Sequence, residues 1–220
     1  MKSYIDLTHL IEEGMPVWPG EPQPEIRELM TLVKDICTVQ SIQFNNHLGT
    51  HLDAPSHFIE DGITIDQIPL ETLIGKAIIL DFTDRGKNSL ITREDLQQHV
   101  DRLEPGARIL LKTGWDKNFN PVAFFEGFPC LTLEAAEFLV SLKIRLLGMD
   151  TPSPSPIEDA GQAIHKTLLG AGIVLLEAVK NLTLINHDEC ELIILPPPFK
   201  SFSGAPCRVV AVLEVQESEG

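Results

Sequence analysis

Short runs of apolar residues recur along the chain, and most are bounded by glycine, proline or a charged residue. Continuous apolar runs of this length predict strands that are buried on both faces of a helix-covered sheet. Two other segments, SYIDLTHLI and TVQSIQF, also predict strands, and the second alternates apolar and polar positions as a half-buried strand does. The continuous runs are KAIILDFTD, ARILLKTGW, IRLLGMD, GIVLLEAV, CELIILPPP and CRVVAVLEV.

Helical patterns lie between these strands. TREDLQQHVDRL begins with Thr92 as a candidate N-cap and ends before a Pro-Gly pair, and TLEAAEFLVSLK begins in the same way at Thr132. A weaker pattern, IEDAGQAIHKTLLGAG, is interrupted by Gly161. We therefore expect an α/β fold: one compact domain over residues 1–220, with a mixed sheet flanked by helices.

Composition narrows the classes of function. The chain carries 32 acidic against 17 basic residues, for a formal net charge of −15, and has no basic run. This charge disfavours nucleic acids and anionic membranes as partners, because phosphate binding needs clustered cations. The four cysteines are scattered without a CxxC pair, and the N-terminus lacks an apolar signal sequence. We expect reduced thiols and a cytoplasmic location.

Three of the seven histidines and one aspartate fall in the stretch HLGTHLDAPSH. Its four candidate ligands are His47, His51, Asp53 and His57, all at odd positions. In an extended backbone alternate side chains share a face, so these four point the same way while apolar and small residues occupy the other face.

One geometrical difficulty is reach, because residues four apart in an extended strand lie roughly 13 Å from each other. Gly49 allows a bend and leaves space for an ion, and Pro55 stiffens the turn towards His57. The alternative is a polar loop whose histidines bond backbone carbonyls. Imidazole and carboxylate donors without thiolates favour a catalytic rather than a structural zinc site, with Mn²⁺ or Fe²⁺ as alternatives.

A second candidate group lies far along the chain. Glu177 interrupts the apolar run GIVLLEAV, and a buried carboxylate needs a cation or strong hydrogen bonds. His165 precedes it on the weaker helical pattern. Glu177 could instead face solvent at a strand end. If the two groups meet, five ligands are enough for two ions bridged by Asp53: His47, His51, Asp53, His165 and Glu177.

These motifs resemble the cyclase family of metal-dependent hydrolases, which includes bacterial kynurenine formamidases and to which isatin hydrolase is similar. HLGTHLDAPSHF fits the family signature HxGTHxDxPxH. Further blocks are spread over nearly the whole chain: MPVWPG, LLKTGW, LLGMDTPSPSP, HKTLLGAGIVLLEAVKNL and GAPCRVVAV.

The resemblance implies roles for individual residues. His47, His51 and Asp53 would hold one ion, and Asp53, His165 and Glu177 a second. His57 would be the general acid and base, and Trp18 would line the substrate pocket. The resemblance also implies a barrel-like α/β fold, one or two divalent ions with zinc favoured over manganese, and a homodimer or larger homo-oligomer.

The predicted activity is therefore metal-dependent amide hydrolysis. The leading reaction releases formate from an N-formyl arylamine such as N-formylkynurenine, a step of tryptophan catabolism. A water acidified by the ions would attack the amide carbonyl while His57 moves a proton. Alternatives are another small cyclic amide, imide or lactone as substrate, or a metal-stabilised binding protein without turnover. Asp150 is left open between support of the site and a simple turn residue.

Overall fold

Nine strands form one mixed sheet in the computed structural model of the protein, which describes residues 1–159 and 162–214. The described residues form thirteen strands, of which β2 with β3 and β6 with β8 make two separate pairs outside this sheet. In chain order they are β1 (Lys2–Asp6), β2 (Glu25–Met30), β3 (Val39–Gln43), β4 (His51–Asp53), β5 (Ile74–Asp81), β6 (Leu90–Ile91), β7 (Arg108–Lys112), β8 (Cys130–Leu131), β9 (Leu146–Met149), β10 (Val174–Glu177), β11 (Glu189–Leu195), β12 (Gly204–Pro206) and β13 (Arg208–Glu214).

The order across the main sheet is β1-β13-β11-β5-β7-β9-β10-β4-β12, and the sheet curls into a half-barrel. The four central strands β5, β7, β9 and β10 run parallel, whereas all other neighbours pair antiparallel. This confirms the predicted mixed, barrel-like sheet in a single α/β domain.

Four helices accompany the sheet: α1 (Leu70–Leu73), α2 (Arg93–Gln97), α3 (Leu133–Ser141) and α4 (Ala163–Gly170). Both predicted threonine caps are confirmed, since the side chains of Thr92 and Thr132 accept hydrogen bonds from the amides of Asp95 and Ala135. The third predicted helix is α4, which is shorter than the pattern IEDAGQAIHKTLLGAG from which it was predicted. Gly161 of that pattern lies outside the described residues. None of the described helices has the length and apolar content needed to cross a membrane.

Two apolar cores lie on opposite faces of the sheet. Along β10, Val174 and Leu176 face one core while Leu175 faces the other, where α2, α3 and α4 pack. The prediction of burial on both faces is thus confirmed for this strand. It is wrong for β11, where Leu192 and Ile194 are buried but the charged neighbour Glu191 is exposed, so none of the described helices covers that side.

The half-buried strand predicted from TVQSIQF is also corrected. This segment forms β3, which pairs only with β2, and the two strands make an exposed hairpin separate from the main sheet. We name residues 25–43 the hairpin arm. Val39 and Ile42 are three residues apart and therefore lie on opposite faces of β3, and both are exposed because no described residue packs over the arm to bury them.

Candidate metal centre

The centre is built where β4 crosses the end of β10. In this antiparallel pair His51 lies directly opposite Glu177, and Asp53 lies two residues further along β4 on the same face. All three side chains are buried. Strand pairing thus brings together two segments that are more than 120 residues apart in sequence, and Glu177 does not face solvent.

Donor atoms in this group are gathered at spacings longer than ordinary hydrogen bonds. His51 Nε2 lies 3.3 Å from Asp53 Oδ1 and 3.5 Å from Glu177 Oε2. His165 Nε2 lies 3.4 Å from Glu177 Oε1, a buried atom that has no hydrogen-bond partner among the described residues. Ligands held tetrahedrally by bonds of about 2.1 Å are themselves separated by about 3.4 Å, so these spacings fit a divalent cation.

The imidazole rings are oriented by hydrogen bonds on their far nitrogens. The Nδ1 atom of His51 donates to the carbonyl of Gly49 at 2.8 Å, which turns Nε2 towards the carboxylates. The Nδ1 atom of His165 lies 2.9 Å from the hydroxyl of Ser155. Fixing the far nitrogen in this way selects the ring orientation that a metal ligand needs.

Two glycines make room for this arrangement. Gly49 has φ +58, a left-handed conformation that favours glycine, and a β-carbon there would come within 2.9 Å of Met15 Cε. Gly204 pairs with Asp53 on the other side of β4. A β-carbon at Gly204 would overlap the ring of His47, so that position has to be without a side chain. The bend expected at Gly49 is therefore present.

His47 and His57 complete the cluster beside Asp53. His47 Nδ1 lies 2.7 Å from Asp53 Oδ1, and its ring stacks on that of His57 with centroids 3.9 Å apart. His57 ends a 3₁₀ turn (Pro55–His57) that directly follows β4, as expected from Pro55. All six predicted residues therefore converge, including His165 and Glu177, whose pairing with the first group the sequence left open.

Two triplets in the described part of the chain have donor atoms within 4.8 Å of one another: His47, Asp53 and His57, and His51, Asp53 and Glu177. Asp53 belongs to both, in agreement with a bridging carboxylate. The assignment of His47, His51 and Asp53 to one ion and of Asp53, His165 and Glu177 to a second stays a prediction. The first triplet also makes His57 a candidate ligand.

Burial and opposed charges set the ionisation of the cluster. Burial disfavours a charged His51, but the hydrogen bond that it donates to Asp53 and the charges of Asp53 and Glu177 outweigh burial and raise its pKa to about 9. Burial and the neighbouring Asp53 raise the pKa of Glu177. Burial lowers the pKa of His57 to about 4 despite the opposing charge of Asp53, so this imidazole is neutral at pH 7.

The cluster forms the floor of a cavity of about 260 Å³. Trp18 lies in its wall, as predicted, with its ring edge against Phe125 at 5.7 Å between centroids. Sequence reasoning missed three phenylalanines of the wall, although their density in the segment NFNPVAFFEGF was a usable signal: Phe119, Phe124 and Phe125. It also missed Gln162 at the cavity rim and Ser155 behind His165.

Asp150 supports this wall and does not touch the cluster. Its buried carboxylate accepts hydrogen bonds from the amides of Thr113 and Gly114 and from the Thr113 hydroxyl. Trp115 follows, and its indole donates to the carbonyl of Phe124 at 2.9 Å. Between the two readings left open for Asp150, the structure favours a supporting role over a simple turn.

A metal-binding cluster of imidazoles and carboxylates, at the floor of a cavity in an α/β half-barrel, has the chemistry of a metal-dependent hydrolase. The sequence pattern of the Cyclase family matches residues 5–156, and the chain belongs to this family.

Three relatives show how far the likeness extends. The kynurenine formamidase of Bacillus cytotoxicus is 32% identical over 209 residues, which cover 94% of this chain and 96% of the relative. A predicted metal-dependent hydrolase from Bacillus stearothermophilus is 30% identical, with a TM-score of 0.82 and coverage of 96% of this chain and 98% of the other. Isatin hydrolase A from Labrenzia aggregata is 26% identical, with a TM-score of 0.87 and coverage of 96% and 94%.

Proposed function

We propose that this chain hydrolyses a carbon–nitrogen bond in a small aryl amide, and that its substrate is an N-formyl arylamine such as N-formylkynurenine. One observation carries the proposal: the cluster of six predicted residues lies at the floor of a cavity whose wall is aromatic. The identity of 32% with a kynurenine formamidase over almost the whole of both chains supports the same reaction.

The donor set favours zinc, in one or two ions. Neutral imidazoles and carboxylates without a thiolate are the ligands of catalytic rather than structural zinc sites, and manganese is the alternative. The orphaned Oε1 of Glu177 and the spacing around His51 Nε2 both fit a bound cation. When bound, the ion would polarise the amide carbonyl and acidify the attacking water.

His57 moves the protons of the reaction. Its imidazole is neutral at pH 7 and lines the cavity beside His47, so it can accept the proton that the attacking water loses. Water adds to the formyl carbon, the carbon–nitrogen bond breaks, and the same imidazole returns the proton to the departing amine. The products are formate and the free arylamine.

The aromatic wall would hold the aryl ring of the substrate. Trp18 and Phe125 meet edge to face, and Phe124 packs edge to face on both Phe119 and Phe125. Aromatic side chains of this kind bind a planar ring by offset or edge contacts. The wall therefore suits an aryl group better than an aliphatic one.

A second candidate substrate is a cyclic amide. The resemblance to isatin hydrolase A at a TM-score of 0.87 and 26% identity favours it, and the same floor and wall would serve ring opening. Hydrolysis of N-formylkynurenine, formanilide and isatin by the zinc-loaded and the manganese-loaded protein distinguishes the two candidates. Turnover of isatin alone would leave the metal chemistry and refute the formamidase assignment.

His57→Ala tests the catalytic assignment directly. We expect the variant to bind zinc at the wild-type stoichiometry and to lose at least about a hundredfold in kcat, the usual contribution of a general acid and base. His99→Ala is the matched control, because His99 lies outside the cavity. Loss of zinc from His57→Ala would make His57 a ligand, and unchanged kcat would remove it from the mechanism.

Two further assignments belong to this proposal. We place the protein in the cytoplasm, since its four cysteines are unpaired and three of them are buried. We also propose a homodimer or larger homo-oligomer. The hairpin arm supports this, because seven of its apolar side chains are exposed: Ile26, Leu29, Leu32, Val33, Ile36, Val39 and Ile42.

A further inference from the structure

One polar side chain of the cavity has no partner within the described part of the chain. Three polar side chains line the cavity besides the cluster: Glu21, Ser153 and Gln162. The carboxylate of Glu21 accepts a hydrogen bond from Asn45, and Ser153 accepts one from the amide of Ser155. The carboxamide of Gln162 makes no hydrogen bond with any described residue, although an amide group can donate two and accept two.

The side chain of an N-cap residue usually accepts a hydrogen bond from an amide in the first turn of its helix, but the side chain of Gln162 does not. Gln162 is the N-cap residue of α4, yet the side chain of Asp159 accepts the hydrogen bond from the amide of Ala163 at 3.0 Å. Capping by Asp159 leaves the Gln162 carboxamide available to a molecule in the cavity.

The backbone holds Gln162 in an unfavourable conformation. Its φ of 50° and ψ of 41° lie in the left-handed region, where glycine is the natural residue and a residue with a β-carbon is uncommon. Hydrogen bonds fix this conformation on both sides, from its amide to the carbonyl of Asp159 and from the Lys166 amide to its own carbonyl. Strain of this kind is retained mainly at functional positions.

Gln162 shares the cavity with the cluster. Its side chain lines the same space as His165, whose Nε2 points to Glu177 at the cavity floor, and as the aromatic residues Trp18 and Phe125. A carboxamide in this lining faces a substituent of a ring that the aromatic wall holds while the scissile amide lies over the cluster.

We propose that Gln162 is a specificity-determining residue whose carboxamide N–H donates to a carbonyl oxygen on the ring carbon adjacent to the scissile amide. This rests on the proposed aryl-amide hydrolysis. A neutral donor suits a neutral acceptor, because the pair can be buried without the cost of removing a charge from water. The preferred substrates are thus 2-acyl arylamides rather than unsubstituted ones.

Two variants distinguish the effect of the Gln162 carboxamide from the effect of its left-handed backbone conformation. Gln162→Leu removes the hydrogen-bonding group at similar size, whereas Gln162→Gly removes it and also relieves the left-handed strain, so the second variant is expected to fold at least as well as wild type. Lys143→Gly is the matched control: Lys143 has φ 57° and does not line the cavity. Zinc content is measured for each protein, to verify that His165 is still in place.

The kinetic readout compares N-(2-acetylphenyl)formamide with formanilide, which lacks the ring carbonyl. We expect wild type to favour the acetyl compound and both Gln162 variants to lose roughly fivefold of that preference, the amount one net hydrogen bond supplies. The loss falls on KM, since the contact is made equally in ground and transition states. Lys143→Gly is expected to stay within twofold of wild type on both substrates.

An equilibrium readout makes the result independent of turnover. Binding of the two amine products, 2-aminoacetophenone and aniline, to zinc-loaded protein is measured by calorimetry, with the same fivefold change expected. Should wild type hydrolyse neither formamide, the proposed function fails while the binding comparison still decides the role of Gln162. An unchanged preference in both Gln162 variants, with zinc retained, overturns the inference.

Discussion

At the scale of single residues, the centre is a set of buried opposite charges. Asp53 and Glu177 lie beside His51, and the hydrogen bond and charges of these carboxylates raise its pKa to about 9. Burial lowers the pKa of His165, but its contact with the carboxylate of Glu177 outweighs burial and raises that pKa as well. In the absence of a cation, protons on these imidazoles balance the carboxylates, so protons and a divalent ion compete for the same nitrogens.

This competition gives a pH dependence with a definite sign. His51 is protonated in the metal-free protein throughout pH 6–8, because its pKa is about 9, and it must lose that proton to bind zinc. We expect the apparent Kd for zinc to fall about tenfold for each unit of pH rise in this range, for each proton displaced.

Competition with a chelator at pH 6, 7 and 8 measures the slope. Calorimetry in buffers with different enthalpies of ionisation counts the protons released at one pH. The slope and the proton count have to agree. A zinc affinity that is constant across the range would mean that His51 is not a ligand.

The residues of the cluster could be predicted from sequence because their side chains differ in type from the residues around them. His47, His51 and Asp53 alternate along one short stretch, and Glu177 is the one charge in an apolar run. Gln162 and Ser155 gave no such signal, since single polar residues among prolines and glycines are typical of any loop. Their roles depend on the position of α4 in the folded protein, and the local sequence pattern does not indicate that position.

At the scale of elements, the strands and the capped helices follow from local sequence. Thr92 and Thr132 both precede their helices by one residue and cap them as predicted. The hairpin arm could not be predicted in the same way. The local sequence identifies β3 as a strand, but only tertiary contacts decide whether its apolar side chains are covered.

The segment that carries the aromatic wall depends on one buried carboxylate. Asp150 ties Thr113 and Gly114 to the end of β9, and the chain from there to Phe125 supplies most of the wall. Burial and the charge of Asp116 raise the pKa of Asp150 to about 6 against these hydrogen bonds. The carboxylate is thus positioned for the groups that donate to it, although burial disfavours its ionised form.

We expect Asp150→Ala to destabilise the protein by about 3 kcal/mol, since it leaves buried amide donors without an acceptor. For a chain of this length that corresponds to a fall in Tm of roughly 6–12 °C. Urea unfolding and thermal melts measure the effect, with the exposed Asp84→Ala as control. A melting temperature within 1 °C of wild type would show that the Thr113 and Gly114 amides find other partners.

At the scale of the whole molecule, the described residues of a single chain leave the apolar side chains of the hairpin arm uncovered. The arm is two strands long, it pairs with no other described strand, and Val33 and Ile36 at its end are 95% and 97% exposed. Isolated two-stranded hairpins are at best marginally stable in water, and contiguous exposed apolar patches usually mark interaction sites. A second copy of the chain is the occupant that the proposed homo-oligomer supplies.

In the proposed homo-oligomer, the hairpin arm determines assembly. We expect Val33→Asp combined with Ile36→Asp to shift the wild-type dimer or larger oligomer towards monomer, because burying two carboxylates in an apolar contact costs several kcal/mol. Leu70→Asp is the control: Leu70 is also exposed, at 63%, but lies outside the arm, so its mass distribution should match wild type.

Light scattering coupled to gel filtration, over a range of concentrations, gives the mass of each protein. A monomeric wild type would refute the homo-oligomer, and an oligomer that survives both charges in the arm would place the interface elsewhere. Activity of the monomeric variant adds a second distinction. A monomeric variant that retains zinc and turnover would show that the site is complete within one chain, and loss of turnover with zinc retained would show that the arm of the partner completes it.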